Sequence, residues 1–213
     1  MADVVSEEMV DVAFRLPGGR LPVDHAYALS GEINNALPWF ADESAVRLHL
    51  VHTAASGSGW MRPESSSDSE LHLSKRTKLT IRVPERRARD SMALSGRTLR
   101  IGEYSLTPGA GKVVPLVPAG TLLARHVVCD ADEDESSLIP RLAQTLRESA
   151  VDSGSLICGR AHRIITPQAV IHTRSLVVTG LDDDDALALL RLGIGPAGKL
   201  GCGIFIPYKH IDQ

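Results

Sequence analysis

The hydrophobic pattern of this 213-residue chain passes twice through one order of elements, and that order leaves few compact ways to fold. Val10 to Leu16 alternates apolar and polar side chains, the period of a half-buried strand. Pro17-Gly18-Gly19 ends it. After Pro22, the residues Tyr27, Leu29, Ile33 and Leu37 recur at helical spacing, and Asp24 is placed to cap the helix they predict. Val46 to Val51 reads as a second strand, 53–69 as a small, polar, mobile loop, and strand pattern resumes at Glu70 to Leu73 and Thr77 to Val83. Pro84 to Leu94 predicts a short helix, with short strands after it at 99–101 and 104–106. Pro108-Gly109-Ala110-Gly111 is the strongest break, which gives domains 1–109 and 110–213. Beyond it come a strand at 122–129, a helix at 136–151, strands at 156–165 and 169–178, a helix at 182–192 and a last strand at 203–206. Each half reads β-α-β-β-α-β, so the expected class is α+β with two tandem ferredoxin-like (RRM-like) domains.

The most glycine-rich stretch closes the second half. Gly193, Gly195, Gly198, Gly201 and Gly203 fall within eleven residues, and the first three match Gly-x-Gly-x-x-Gly. A dinucleotide-binding fingerprint needs that pattern after a strand and at the opening of a helix. Here it follows the acid-capped helix 182–192 and precedes the last strand, so a nucleotide cofactor is not expected. Glycines in such a loop admit positive φ and leave amides open to an anion; a flexible connector is the plainer reading.

At 43% hydrophobic the chain can bury a substantial core, and no run approaches the roughly 18 apolar residues of a membrane span. The first residues lack a secretory pattern, so the expectation is a cytoplasmic protein with no membrane partner. Cys129, Cys158 and Cys202 are scattered without a Cys-x-x-Cys pair, which predicts buried thiols and neither disulfides nor a metal site. The net charge of −3 argues against indiscriminate nucleic-acid binding. That average hides a segregation, because nine basic residues and two acids lie between Lys75 and Arg100. Such a segment fits either a polyanion-binding face or a solvated charged surface.

Three stretches carry a resemblance. Asp11 to Leu16, Leu21 to Leu29, and Leu192 to Gly195 continuing through Lys199 to Pro207 resemble the CRISPR-associated endoribonucleases of the RAMP superfamily that cut repeat RNA into guide RNAs. The likeness is greatest to the short myxobacterial-type branch. The resemblance implies cleavage at the base of a repeat stem in a prokaryotic cytoplasm, without metal or other cofactor, leaving a 2′,3′-cyclic phosphate and a 5′-hydroxyl. It also implies repeat RNA and guide RNA as partners and allows retention beside other subunits of an effector complex.

That chemistry requires a base near the 2′-oxygen, an acid near the leaving oxygen and charge stabilisation at the phosphate. Among eight histidines, His25 lies where this family often places its catalytic histidine, with Tyr27 two residues on. His52, at the end of the second strand and near the helix start in a ferredoxin-like unit, is the further candidate, and which residue is acid and which base stays open. Without the resemblance, His25 reads as a residue that packs the helix start. Lys75, Arg76, Lys78, Arg82, Arg86, Arg87 and Arg89 are the expected stem binders, and Gly193, Gly195, Gly201 and Gly203 a phosphate seat with Lys199 its only cation. The alternative is a RAMP subunit that holds guide RNA without cutting it. A generic pair of RNA-binding ferredoxin-like domains fits less well, since aromatic residues are 4% of the chain and such domains stack bases on sheet aromatics.

Overall fold

A computed structural model describes residues 7–52 and 70–208; the loop expected over 53–69 lies outside the described residues. The chain divides into two compact units, 1–115 and 116–213.

In the first unit, β1 (Met9–Arg15) buries Val10, Val12 and Phe14 on one face, as its alternation predicts. A short β2 (Gly19–Pro22) follows, then α1 (Ala26–Ala36), which turns Ala26, Leu29 and Ile33 into the core. The single-turn α2 (Trp39–Asp42) buries Phe40, and β3 (Arg47–His49) comes next. β4 (Glu70–Leu73) pairs with β2 in a small ribbon, while β5 (Lys78–Pro84) enters the main sheet. Residues 85–94 coil as expected but unevenly, with α3 (Ala88–Ser91) between two 3₁₀ turns. There the Ser91 hydroxyl donates to the Arg87 carbonyl at 2.8 Å and competes with the helical ladder.

One expectation fails at this point. β6 (Leu99–Ile101) and β7 (Tyr104–Leu106) form a separate hairpin, and the fourth strand of the main sheet is β8 (Gly111–Pro115), antiparallel to β1. The Gly109 amide donates to the Arg15 carbonyl at 2.8 Å and pins the turn to the end of β1. Gly111 sits opposite Phe14, where a Cβ would come within 2.6 Å of the Phe14 ring. The turn that reads as a break therefore leads into a strand of the same unit. With sheet order β3-β5-β1-β8 and α1 and the 85–94 segment as crossovers, the unit is ferredoxin-like, with one core running from Val10 to Leu106.

The second unit is more regular. Its elements are β9 (Thr121–Val128), α4 (Glu135–Glu148), β10 (Ser155–Ile165), β11 (Val170–Thr179), α5 (Asp183–Leu192) and β12 (Phe205–Pro207), with sheet order β10-β11-β9-β12. Asp134 caps α4 by accepting from the Ser137 amide, and Asp182 caps α5 by accepting from the Asp185 amide. Leu138, Leu142 and Leu146 of α4 meet Ala186, Leu189 and Leu190 of α5 in a core shared with Leu122, Leu176 and Phe205. The chain is thus α+β with two tandem ferredoxin-like units. No helix among the described residues is long and apolar enough to cross a membrane.

Candidate functional site

The start of α1 is built around His25. The residue is 2% exposed. The Val51 amide donates to Nε2 at 3.0 Å, while Nδ1 lies 3.0 Å from the Pro22 carbonyl and 3.1 Å from that of Val23. A backbone N–H can only donate, so Nε2 carries the lone pair, the proton sits on Nδ1, and Nδ1–H donates to the two carbonyls. His25 is itself the residue that begins the helix, in place of the expected Asp24. It offers the helix no side-chain cap, because both ring nitrogens serve the turn before α1 and the chain leaving β3. Tyr27 stands out at 43% exposure. His52, half-buried, directly follows the residue whose amide His25 holds.

The glycine loop is a folded unit. Gly193 ends α5 at φ 64°, and the Ile194 amide donates to the Gly203 carbonyl at 2.9 Å. The Gly203 amide in turn donates to the His126 carbonyl of β9 at 2.6 Å. At φ 63°, Gly203 holds the two loop ends so close that a Cβ would stand 1.7 Å from the Ile194 oxygen. Gly201 and Gly203 are buried, and their amides are engaged, that of Gly201 by the Gly198 carbonyl within the loop and that of Gly203 by β9, so they shape it. The outer arc is Gly195 to Lys199, with Gly195 at φ 68° and Ala197 in the left-handed region at φ 63°. Under the loop, His126 Nδ1 lies 3.2 Å from the Thr173 hydroxyl, and its ring meets that of His162 edge-on at 5.2 Å.

The basic segment separates into two sets. Arg82 is 1% exposed and lies against Asp11 in a two-pronged pair, Nε donating to Oδ1 at 2.8 Å and Nη2 to Oδ2 at 3.1 Å. His49 Nε2 stands 3.3 Å from the same Asp11 Oδ1. Arg86 pairs with Glu7 and, at 2.7 Å, with Glu43; Arg87 pairs with Asp90 at 3.1 Å and lies over the Trp39 ring. The Arg86 hydrogen bond leads the causes that hold the Glu43 carboxyl below its ordinary range. Lys75, Arg76, Lys78 and Arg89 are exposed. The first three surround the turn into β5, a geometry open to a polyanion. On β10, Arg160 and Arg163 are exposed as well. Among the described residues no group of three His, Cys, Asp or Glu side chains is placed to hold a metal.

A model of the Cas6 CRISPR family matches residues 10–210. The chain belongs to the Cas6 family. A Cas6-family relative, the CRISPR-associated endonuclease Cas6 of Myxococcus xanthus (strain DK1622), is 28% identical over 199 residues, covering 93% of this chain and 81% of the relative. The fold agrees with a solved CRISPR-associated Cas6 protein at a TM-score of 0.63, with 12% identity over 95% of this chain and 100% of that one. It agrees at 0.62, with 14% identity and the same coverage, with a structure described as a RAMP protein binding different RNA substrates. The family match meets the expectation of a CRISPR-associated protein of the repeat-processing Cas6 type.

In this Cas6-family chain the expected residues divide by contact. His25 and the segment ending in His52 are joined through the Val51 amide, with Tyr27 one half-turn along α1. Arg82, Arg86 and Arg87 are drawn into acids of the same unit. Arg160 and Arg163 were missed by weighing the 75–100 segment alone; their signal is a Gly-Arg-Ala-His-Arg run interrupting an apolar strand. The Asp11–Arg82–His49 cluster carries no comparable signal, because its members are brought opposite one another only by strand register.

Proposed function

We propose that this protein is an endoribonuclease that binds CRISPR repeat RNA in the prokaryotic cytoplasm and cuts it at the base of the repeat stem. The observation that carries this reading is the Cas6 family match across residues 10–210. The Myxococcus relative is named an endonuclease, and the RAMP structure of like fold is described as binding RNA. In the cut, the ribose 2′-oxygen gives its proton to a base and bonds to the adjacent phosphorus. The bond from phosphorus to the 5′-oxygen breaks, and an acid protonates the leaving oxygen. The products are a 2′,3′-cyclic phosphate and a 5′-hydroxyl, with no oxidant, reductant or metal in the balance. His25, Tyr27 and His52 make up the local machinery, and histidine and tyrosine are the residue types from which its base and its acid are drawn. The exposed Lys75, Arg76, Lys78 and Arg89 meet phosphates, and the arc from Gly195 to Lys199 presents backbone to the RNA. Recognition of an A-form stem rests on shape and on its single-stranded flanks.

The test is incubation with repeat RNA in excess chelator, beside a copy carrying a 2′-deoxy nucleotide at the cut. Cleavage of the first alone, with a cyclic phosphate terminus, is expected. A cut in both, or one that chelator abolishes, overturns the mechanism; binding of both with no cut assigns the chain to the non-cutting RAMP subunits.

A further inference from the structure

We infer that His25 is a positioning residue for this reaction, holding the groups that meet the RNA and transferring no proton itself. The inference rests on the cleavage reading above. To act as a base through Nε2, the ring would first have to release the Val51 amide at 3.0 Å, leaving a buried donor without its acceptor. To act as an acid through Nδ1, it would have to turn from the Pro22 and Val23 carbonyls, at 3.0 and 3.1 Å, which lie inside the turn. With the residue 2% exposed, the ring has little surface with which to reach a phosphate.

The same three contacts make His25 a clasp. They join the chain entering α1, at Pro22 and Val23, to the chain leaving β3, at Val51. Tyr27 lies two residues after the clasp on one side, and His52 lies one residue after it on the other. A reaction that needs two groups within a few tenths of an ångström of productive geometry depends on such a clasp even though the clasp touches no substrate. Tyr27 and His52 are then the proton-transfer pair.

Single-turnover cleavage of repeat RNA by His25→Ala and His25→Gln, with pH profiles, tests the inference. The glutamine Oε1 reaches the place of Nε2 and accepts from Val51, but the side chain cannot exchange a proton in this pH range. The expected result is a loss of about a hundredfold or more in His25→Ala, at least tenfold rescue in His25→Gln, and a pH inflection that survives in the glutamine variant. Equal losses in both variants with the inflection gone, or a loss of only a few fold in His25→Ala, overturn the inference while leaving the function standing. A wild-type protein that leaves the RNA uncut removes the cleavage reading and this inference with it. Should His25→Gln fail to fold, ¹⁵N-resolved NMR of the wild-type rings decides. The Nδ1–H tautomer at residue 25 is expected at neutral pH, and an Nε2–H or doubly protonated ring there refutes the assignment.

Discussion

Asp11→Asn removes a carboxylate charge that pairs with a guanidinium only 1% exposed. The pair is two-pronged, at 2.8 and 3.1 Å, and Asp11 is itself largely covered at 18% side-chain exposure. Breaking such a pair by neutralising one member costs about 3–5 kcal/mol, because the remaining charge stays buried. Asparagine keeps one acceptor oxygen, which places the expected loss near the lower limit, about 3 kcal/mol, or a fall in Tm of about 10 °C. Urea and thermal unfolding followed by circular dichroism measure it. Adding Arg82→Met removes the second charge, so the double variant should lose at least about 1 kcal/mol less than the sum of the two single variants. The pH dependence has a definite sign. Burial by itself raises the Asp11 carboxyl, but the hydrogen bonds and charges of His49 and Arg82 outweigh it and hold the group far below the usual carboxylate range. Its contribution is therefore present above the unfolded carboxyl value of about 3.9 and lost as pH falls below that toward the depressed folded value. The gap between wild type and Asp11→Asn should narrow over that acid window. A loss under about 1 kcal/mol at neutral pH, or a gap that widens on acidification, would refute the reasoning.

Other outcomes follow from the same contacts. Replacing Lys75, Arg76 and Lys78 together by glutamine should flatten the log–log salt dependence of repeat-RNA affinity by about 2–3, whereas Arg82→Gln should leave the slope alone and lower stability instead; filter binding at several salt concentrations separates the two. Gly203→Ala forces a Cβ to 1.7 Å from the Ile194 oxygen, whose residue is held by the 2.9 Å bond between the Ile194 amide and the Gly203 carbonyl. It should cost about 2 kcal/mol or more and open 193–203 to proteolysis, and an unchanged Tm with an uncut loop would refute that account.

The sequence by itself determined most of the elements and their order. Alternation at Val10 to Leu16 and leucine spacing in 136–151 and 182–192 are local properties, and backbone geometry converts them directly into strands and helices. It also marked the glycine loop, since close approach at Gly203 leaves no choice of residue. What only the tertiary structure decided is which polar side chain faces another. Arg82 looked like an RNA contact by its basic neighbours, and strand register put Asp11, 71 residues away in sequence, directly across from it. The turn at Pro108–Gly111 looked like a boundary by its composition, and the Gly109 bond to Arg15 made it the entrance to β8. His25 stood out by its place at the start of α1, but its tautomer and burial come from Val51, 26 residues on. Spacing along a chain fixes the face on which a side chain lies, whereas the hydrogen-bond partner that fixes its proton arrives from another element and exists only once the sheet has closed.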